Sequence, residues 1–282
     1  MYTYYIGILS IFLLLLFLIV INSPKQHFIE NLKINRIHTK IPILTHTKIP
    51  IFIIVHNRLK VLKQSIQSYN KYIDQNKTPF EIVFYDSMST YKPTIHFLKQ
   101  QEKKGTKVYW SNLNNHKLVL NKVKDYLKQN PQCKYFVITD PDIELDKVNS
   151  NILEYYQFLL EKYKVMSVGP MLRIDDIPNY YPKKQSAIEG HTRQFWHKTP
   201  KKVNFQGNMY NIQFSPIDTT FQLFSKKNIP TNFPNTNCIR CYKPYSARHL
   251  DWYIDPNNMS RDQIYYSNKA TSIAHWCKNT KG

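Results

Sequence analysis

Glycine is scarce in this sequence, with 6 residues in a chain of 282. The phosphate-binding loops of dinucleotide-binding proteins and of P-loop enzymes need closely spaced glycines, because a residue without a side chain lets the backbone approach the phosphates. Neither a GxGxxG string nor a P-loop string occurs in the chain. The sequence therefore excludes the two commonest glycine-rich nucleotide sites.

Arginine is also sparse, since 7 of the 39 basic residues are arginine and the others are lysine. Proteins that read bases or phosphates specifically favour arginine, whose planar group donates two parallel hydrogen bonds. Signatures of a helix-turn-helix, an RNA-recognition domain or a zinc finger are missing as well. We therefore expect no nucleic-acid partner.

The net charge is nevertheless strongly positive, at +20, because the chain has 39 basic residues and 19 acidic ones. A field of this sign favours anionic partners such as nucleic acid, lipid headgroups or nucleotide diphosphates. Richness in lysine, asparagine, isoleucine and tyrosine is also typical of an AT-rich genome. The simpler interpretation of the charge is a solvated basic surface.

Four cysteines occur, at positions 133, 238, 241 and 277. Cys238 and Cys241 have CxxC spacing, but a structural zinc site of this kind needs a second pair. The alternatives are a strained disulfide, half of a metal site with Cys277 and a histidine, or two free thiols. Free thiols are the default in a reducing compartment.

Residues 6–21 form an uncharged apolar run near the N-terminus. A cleaved signal peptide would have a basic start and a cleavage site of small residues, and neither is present. The run therefore predicts a transmembrane anchor over 1–21, followed by a tether over 22–48, in a single-pass membrane protein. Basic residues follow the run and none precedes it, so the positive-inside rule weakly favours a cytosolic domain. The opposite, lumenal orientation is the alternative.

Strand and helix patterns alternate from Ile49 onwards. Predicted strands cover 51–55, 81–85, 107–110, 135–139 and 166–168, and predicted helices cover 59–73, 96–103, 117–127 and 151–164. This order predicts a doubly wound, Rossmann-like α/β sheet. After Pro170 the pattern becomes irregular and rich in proline and aromatic residues. We therefore divide the predicted domain, 49–282, into halves at 49–170 and 171–282.

Acidic residues follow two of the predicted strands. Asp86 comes after the second strand, and Asp140 and Asp142 come after the fourth. Ligands of open α/β sheets bind beyond the carboxyl ends of the strands. Carboxylate oxygens there suit Mg²⁺ or Mn²⁺, which bridge diphosphate oxygens. The alternative is a plain turn, for which Asp-Pro-Asp is also well suited.

Three segments in this order carry a family resemblance: IFIIVHNR at 51–58, FYDS at 84–87 and VITDPD at 137–142. Together they resemble the nucleotide-binding half of GT-A glycosyltransferases, especially inverting members similar to family 2. The similarity extends from about Ile49 to His275 and is stronger in the first half. Pro141 between the two aspartates is a variant of the usual DxD pattern that leaves both carboxylates in place.

The resemblance implies a role for each matched residue. The nucleotide would be bound by His56, Asn57, Arg58, Asp86 and Asp140. Asp140 would also face the metal, Asp142 would ligate it, and a late histidine, His249 or His275, would complete the Mn²⁺ or Mg²⁺ site. Each histidine has the alternative of a structural hydrogen bond.

An inverting transferase also needs a carboxylate base that deprotonates the acceptor hydroxyl. Members of the family carry an acidic residue in the second half, and Asp218 is the first candidate here. The usual Glu-Asp pair is absent, and Asp218 has the alternative role of a cap before Thr219. Glu189 and Asp251 are the further candidates.

These observations predict a metal-dependent glycosyltransferase that moves a sugar from a nucleoside-diphosphate sugar, with UDP favoured, to a hydroxyl of a glycan, protein or lipid. A nucleotidyltransferase is the alternative enzyme, because it also uses paired aspartates and Mg²⁺. The alternative without catalysis is a basic nucleic-acid-binding protein tethered to a membrane.

Overall fold

The central strand, β1 (Ile49–Val55), is buried along its whole length. In the computed structural model, which describes residues 47–269, alternate side chains of β1 enter two cores on opposite faces of one sheet. Ile51 and Ile53 lie in the first core, and Phe52 and Ile54 lie in the second. Burial on both faces explains why β1 is apolar throughout instead of alternating with polar residues.

Three strands pair in parallel around β1: β2 (Phe80–Ser87), β3 (Lys107–Ser111) and β4 (Tyr135–Thr139). Their order is β3-β2-β1-β4, with β1 bonded to both β2 and β4. The direction of winding reverses between β1 and β4, and such a reversal opens a crevice at the carboxyl ends of the strands.

The α-helices of residues 47–269 are α1 (Leu59–Tyr72), α2 (Lys92–Lys103), α3 (Val119–Gln129), α4 (Ile152–Tyr163), α5 (Lys184–His191) and α6 (Arg261–Lys269). Helices α1, α2 and α4 contribute buried side chains to the first core, whereas α3 contributes to the second. Helices on both faces confirm the predicted doubly wound α/β arrangement.

The remaining strands of the sheet come mainly from the second half. They are β6 (Ser167–Pro170), β7 (Lys201–Phe205), β8 (Asn208–Phe214), β9 (Gln222–Ser225) and β10 (Cys238–Cys241). Strand β9 lies antiparallel between β4 and β6, and β10, β8 and β7 follow. The sheet is therefore mixed and nine-stranded within the described residues.

A separate two-stranded sheet lies close to the DPD segment. It pairs β5 (Ile143–Glu144) with β11 (Arg248–His249) in antiparallel register. This pairing joins the chain just after Asp142 to a segment more than a hundred residues later.

The predicted anchor, residues 1–21, and nearly all of the predicted tether lie outside the described residues. Within 47–269, no helix is both long and apolar enough to cross a membrane. Membrane attachment therefore stays a prediction.

Candidate active site

A cavity of about 500 Å³ opens where the carboxyl ends of the parallel strands face segments of the second half. Its first-half lining includes Ile54, His56, Arg58, Ser87, Asp140 and Asp142. Its second-half lining includes His191, Phe195, Asp218, Arg240, His249, Asp251 and Trp252. The volume falls within the range of small-molecule sites.

Asp142, His249 and Asp251 form a compact group in this cavity, the candidate metal-binding group. Each offers one ligand atom, and these atoms lie within 4.8 Å of one another. Two carboxylates and an imidazole suit Mn²⁺, and the carboxylates suit Mg²⁺. The Oδ1 atom of Asp142 is buried and has no hydrogen-bond partner among the described residues, so its lone pairs are available to a cation. The side chains present therefore fit a divalent metal.

The two-stranded sheet holds this group together. His249 lies opposite Ile143 in the β5–β11 register, and the amide of Leu250 donates to the carbonyl of Asp142 over 2.7 Å. A short 3₁₀ turn, Leu250–Tyr253, then carries Asp251 back toward the cavity. The His249 ring stacks on Trp252 at 5.1 Å between centroids. Local backbone pairing thus brings distant residues to Asp142.

Ion pairs connect the small sheet to the neighbouring loop segments that carry Asp146, Arg173 and Asp176. Arg248 donates to Asp176 through Nε and Nη2, at 2.8 and 2.6 Å, and lies 2.8 Å from Asp146. Arg173 also pairs with Asp146, at 3.2 Å. The Tyr253 hydroxyl donates to Asp176. A network of several charges fixes geometry better than an isolated surface pair.

Arg58 lies between the two carboxylates of the group. Its Nη1 donates to Asp142 over 3.0 Å, its Nη2 donates to Asp251, and its guanidinium lies 4.8 Å from the centre of the Tyr266 ring. Burial alone would raise the pKa of Asp142, but Arg58 and His249 together bring it below the ordinary value. Asp142 is therefore ionised at neutral pH.

Asp140 has a different environment, although it also lines the cavity. Its Oδ2 accepts from the Thr219 hydroxyl at 2.5 Å, and its amide donates to the Thr219 carbonyl at 2.7 Å. Burial, and then the neighbouring charge of Asp142, raise the pKa of Asp140 well above its ordinary value. Within the described residues, the candidate metal-binding group contains Asp251, while the metal role of Asp140 stays a prediction.

Some of the predicted nucleotide-binding residues of the first half line the cavity, and others do not. His56 and Arg58 line the cavity, and the Nδ1 of His56 donates to the Ser87 carbonyl at 2.7 Å. Asp86 is buried beneath this surface, where its Oδ2 accepts from the Ser89 amide and burial raises its pKa. Ser87 lines the cavity instead.

Asn57 points away from the cavity. It adopts a left-handed backbone conformation, with φ of 59°, and is 1% exposed. Its Oδ1 accepts from the amides of Thr90 and Tyr91 at 2.5 and 2.7 Å. The Asn57 side chain therefore joins the loop after β1 to the loop after β2. The family pattern alone does not show whether an asparagine at this position makes such a structural contact or binds the nucleotide.

The three proposed bases also occupy different places. Asp218 is exposed at the cavity wall, and its carboxylate makes no hydrogen bond with a described residue. Asp251 belongs to the metal-binding group. Glu189 is exposed on α5, pairs with Gln185 and does not line the cavity. His275 lies outside the described residues.

Sequence reasoning missed Arg240 and His191, which both line the cavity. Arg240 lies within the buried strand β10, so a basic residue inside a short apolar run was the available signal. Cys133, Cys238 and Cys241 are buried and form no disulfide within the described residues. Burial raises the pKa of both Cys238 and Cys241.

Comparisons with known proteins give glycosyltransferase structures at low identity. No protein-family model and no curated protein matches the sequence. S. aureus TarS 1–349 is 13% identical with a TM-score of 0.41, over 81% of this chain and 68% of that one. The mannosyltransferase PcManGT from Pyrobaculum calidifontis, in complex with GDP-Man and Mn²⁺, is also 13% identical with a TM-score of 0.41, over 79% and 65%.

GalNAc-T7, solved with UDP, GalNAc and Mn²⁺, is 17% identical with a TM-score of 0.35, over 44% of this chain. The matched part spans 23% of the GalNAc-T7 chain. At these values the similarity describes the fold at most, and the side chains of the cavity determine which function the chain supports.

Proposed function

We propose that the chain is a metal-dependent glycosyltransferase that uses a nucleoside-diphosphate sugar. The observation that carries this proposal is the group of Asp142, His249 and Asp251, in a cavity at the carboxyl ends of parallel strands. Such a cavity is where α/β sheets bind nucleotides. A cation held by this group would lie where the diphosphate is expected.

The three side chains would hold Mn²⁺ or Mg²⁺. When bound, the ion supplies positive charge to the diphosphate oxygens and so stabilises the leaving group. Without the metal, the negative charges of Asp142 and Asp251 would repel the diphosphate, and Arg58 would offset this repulsion only in part. Sugar-donor binding is therefore expected to require the metal.

The first half would bind the nucleotide. His56 follows β1 and Ser87 is the last residue of β2, and both line the cavity with Asn114 beside them. Their polar groups are suited to the ribose and the base. Asp140, held by Thr219, would face the ribose side. UDP-sugars are the sugar donors that we would test first.

Transfer would proceed with inversion and with Asp218 as the base. The acceptor hydroxyl gives its proton to the Asp218 carboxylate as its oxygen bonds to the anomeric carbon. The bond from the anomeric carbon to the diphosphate breaks at the same time, and its electron pair leaves with the nucleoside diphosphate. The exposed position and unbonded carboxylate of Asp218 support this role.

The acceptor would be a hydroxyl of a glycan, a protein or a lipid. The membrane anchor over 1–21 and the cytosolic placement of the domain remain part of the proposal. A chain held at a membrane would meet lipid-linked or membrane-bound acceptors at a raised local concentration.

The direct test is a hydrolysis screen of UDP- and GDP-sugars with Mn²⁺, in which released sugar and nucleotide are measured. Cleavage of one sugar donor to the nucleoside diphosphate, abolished by EDTA, is the expected result. A nucleotidyltransferase would instead release pyrophosphate from a nucleoside triphosphate and a sugar phosphate. Pyrophosphate release without any cleavage of nucleotide sugars would overturn the proposal.

A further inference from the structure

Arg240 is a buried charge in the cavity wall. Its residue is 4% exposed, yet it lines the cavity. Burial lowers its pKa to about 10, so it remains positively charged at neutral pH. A buried charge is costly unless a partner compensates for it. The partners of Arg240 therefore decide whether its positive charge is compensated within the described residues.

Those partners are neutral. Its Nε donates to the Pro216 carbonyl at 2.8 Å and its Nη1 donates to the Pro170 carbonyl at 3.2 Å. The Phe195 ring covers the guanidinium at 4.3 Å. The Nη2 group makes no hydrogen bond with a described residue. Two carbonyls and a ring hold the guanidinium in place, and its unused N–H groups can donate to a further acceptor.

The other buried or half-buried arginines of residues 47–269 all have carboxylate partners. Arg58 pairs with Asp142, Arg173 with Asp146, and Arg248 with Asp176. Arg240 has no carboxylate within 4.0 Å in this part of the chain. Asp218 is the nearby acidic group whose charge acts on Arg240. The missing counter-charge would therefore come from a ligand.

Ring contacts connect this site to the metal-binding group. His249 stacks on Trp252, and His191 meets Trp252 edge-on at 4.6 Å. Burial and the charge of Arg240 lower the pKa of His191 to about 3, so His191 is neutral and leaves the positive charge to Arg240. Arg240 and the metal-binding group thus share one cavity.

We propose that Arg240 binds an anionic group, a carboxylate or a phosphate, carried by the acceptor. This rests on the proposed function, because Arg240 is bonded to the segment that carries the proposed base, Asp218. In the proposed function, the metal-binding group already binds the diphosphate of the sugar donor, so Arg240 is not needed for it. A second cation on the side of Asp218 therefore selects acidic sugars or phosphorylated acceptors over neutral ones.

Calorimetry on the full chain tests the anion site without any turnover. Glucuronate and glucose 6-phosphate are titrated beside glucose. Hydrogen bonds to a charged partner predict that one of the charged sugars binds roughly 10- to 100-fold more tightly than glucose. Arg240→Met should remove that preference. Arg193→Met, which removes an exposed arginine outside the cavity, should retain it.

Arg240→Lys keeps the charge but loses the planar donors, so an intermediate preference is expected; it also decides the matter if Arg240→Met does not fold. Equal binding of charged sugars by the wild type and by these variants would overturn the anion site. A chain that cleaves no nucleotide sugar but binds glucuronate through Arg240 would refute the proposed function and leave the anion site standing.

Turnover assays then identify the source of the anion. Once a sugar donor is known, p-nitrophenyl β-glucuronide and β-glucoside are compared as acceptors. A lower KM for the glucuronide, lost in Arg240→Met, is the expected result. An Arg240-dependent preference for UDP-glucuronate over UDP-glucose, without acceptor preference, would contradict acceptor binding. An equal kcat loss on both acceptors with a shifted pH profile would show that Arg240 positions Asp218 instead.

Discussion

Asp140 and Asp142 are two residues apart, yet their carboxyl groups experience opposite electrostatic environments. Arg58 and His249 keep the pKa of Asp142 below its ordinary value, whereas burial and the charge of Asp142 raise the pKa of Asp140. A cation bound by Asp142 would reduce the repulsion between them. Asp142 is therefore the side chain on which the proposed metal binding should depend most directly.

Asp218→Asn tests the proposed base. Loss of a general base is expected to lower transfer by roughly 10²- to 10⁴-fold, while nucleotide affinity stays nearly unchanged, because Asp218 does not belong to the metal-binding group. Transfer is measured by release of nucleoside diphosphate and affinity by calorimetry.

Two other variants serve as comparisons for Asp218→Asn. Asp251→Asn should weaken Mn²⁺-dependent nucleotide binding itself, since Asp251 would contribute a ligand atom to the proposed metal site. Glu189→Gln should change neither quantity, because Glu189 does not line the cavity. Normal transfer by Asp218→Asn, with transfer lost in Glu189→Gln, would assign the base to Glu189.

His191 should make the free energy of unfolding depend on pH. Burial and Arg240 lower its pKa to about 3, whereas an unfolded histidine titrates near pH 6.5. Between those values the unfolded chain binds one more proton, so stability falls as the pH falls below about 6.5. From pH 7 to pH 5 the wild type should lose about 2 kcal/mol more than His191→Gln.

Urea unfolding at the two pH values measures this difference. His197→Gln, at an exposed histidine close by, is the matched control and should behave like the wild type. An identical pH dependence in the wild type and in His191→Gln would show that folding leaves the pKa of His191 at its ordinary value.

The sequence revealed part of the site at the level of residues. The DPD segment and His249 were identifiable from their order and type, and the structure brings Asp142 and His249 together. The place of Asp251 was not predictable, because it depends on the β5–β11 register and on a single 3₁₀ turn. Arg240 was missed because family patterns record motif residues and not the burial of a neighbouring charge.

At the scale of elements, the small sheet of β5 and β11 positions the metal-binding group. Arg248→Met removes three of its ion pairs, with Glu144, Asp146 and Asp176. Loss of such supporting contacts typically lowers metal affinity by about 10- to 100-fold. Titration of Mn²⁺ monitored by electron paramagnetic resonance measures the affinity.

Lys243→Met is the control for Arg248→Met, since Lys243 pairs with the half-exposed Asp175 outside the cavity. It should bind Mn²⁺ like the wild type. Unchanged affinity in Arg248→Met would mean that backbone pairing alone holds the ligands in place.

The elements of the first half were predictable because each strand is a short apolar run followed by a helical pattern. Strand β4 has the predicted bounds, 135–139, and β2 extends beyond its predicted end through Ser87. Strands β9 and β10 are four residues long, which is too short for a periodic signal. Their place in the sheet is set by long-range pairing with β4 and β6.

At the scale of the whole molecule, the proposed division separates an anchor and tether from a catalytic domain that begins at residue 49. Strand β1 starts there and is buried from its first residue. A chain that begins at Thr47 should therefore fold cooperatively and bind nucleotide like the full chain. Thermal unfolding by circular dichroism and calorimetry measure both properties. Aggregation of the shortened chain under conditions that keep the full chain folded would contradict the boundary.

The central claim is that the Asp142 group binds a metal through which a nucleotide diphosphate is held. Calorimetry with UDP and GDP, in Mn²⁺ and in EDTA, tests it most directly on the wild type, on Asp142→Asn and on Asp125→Asn, a remote and exposed control. We predict binding of one nucleotide in Mn²⁺ by the wild type and by Asp125→Asn. Binding should be lost in EDTA and in Asp142→Asn. Equal affinity with and without the metal, or in Asp142→Asn, would contradict the claim.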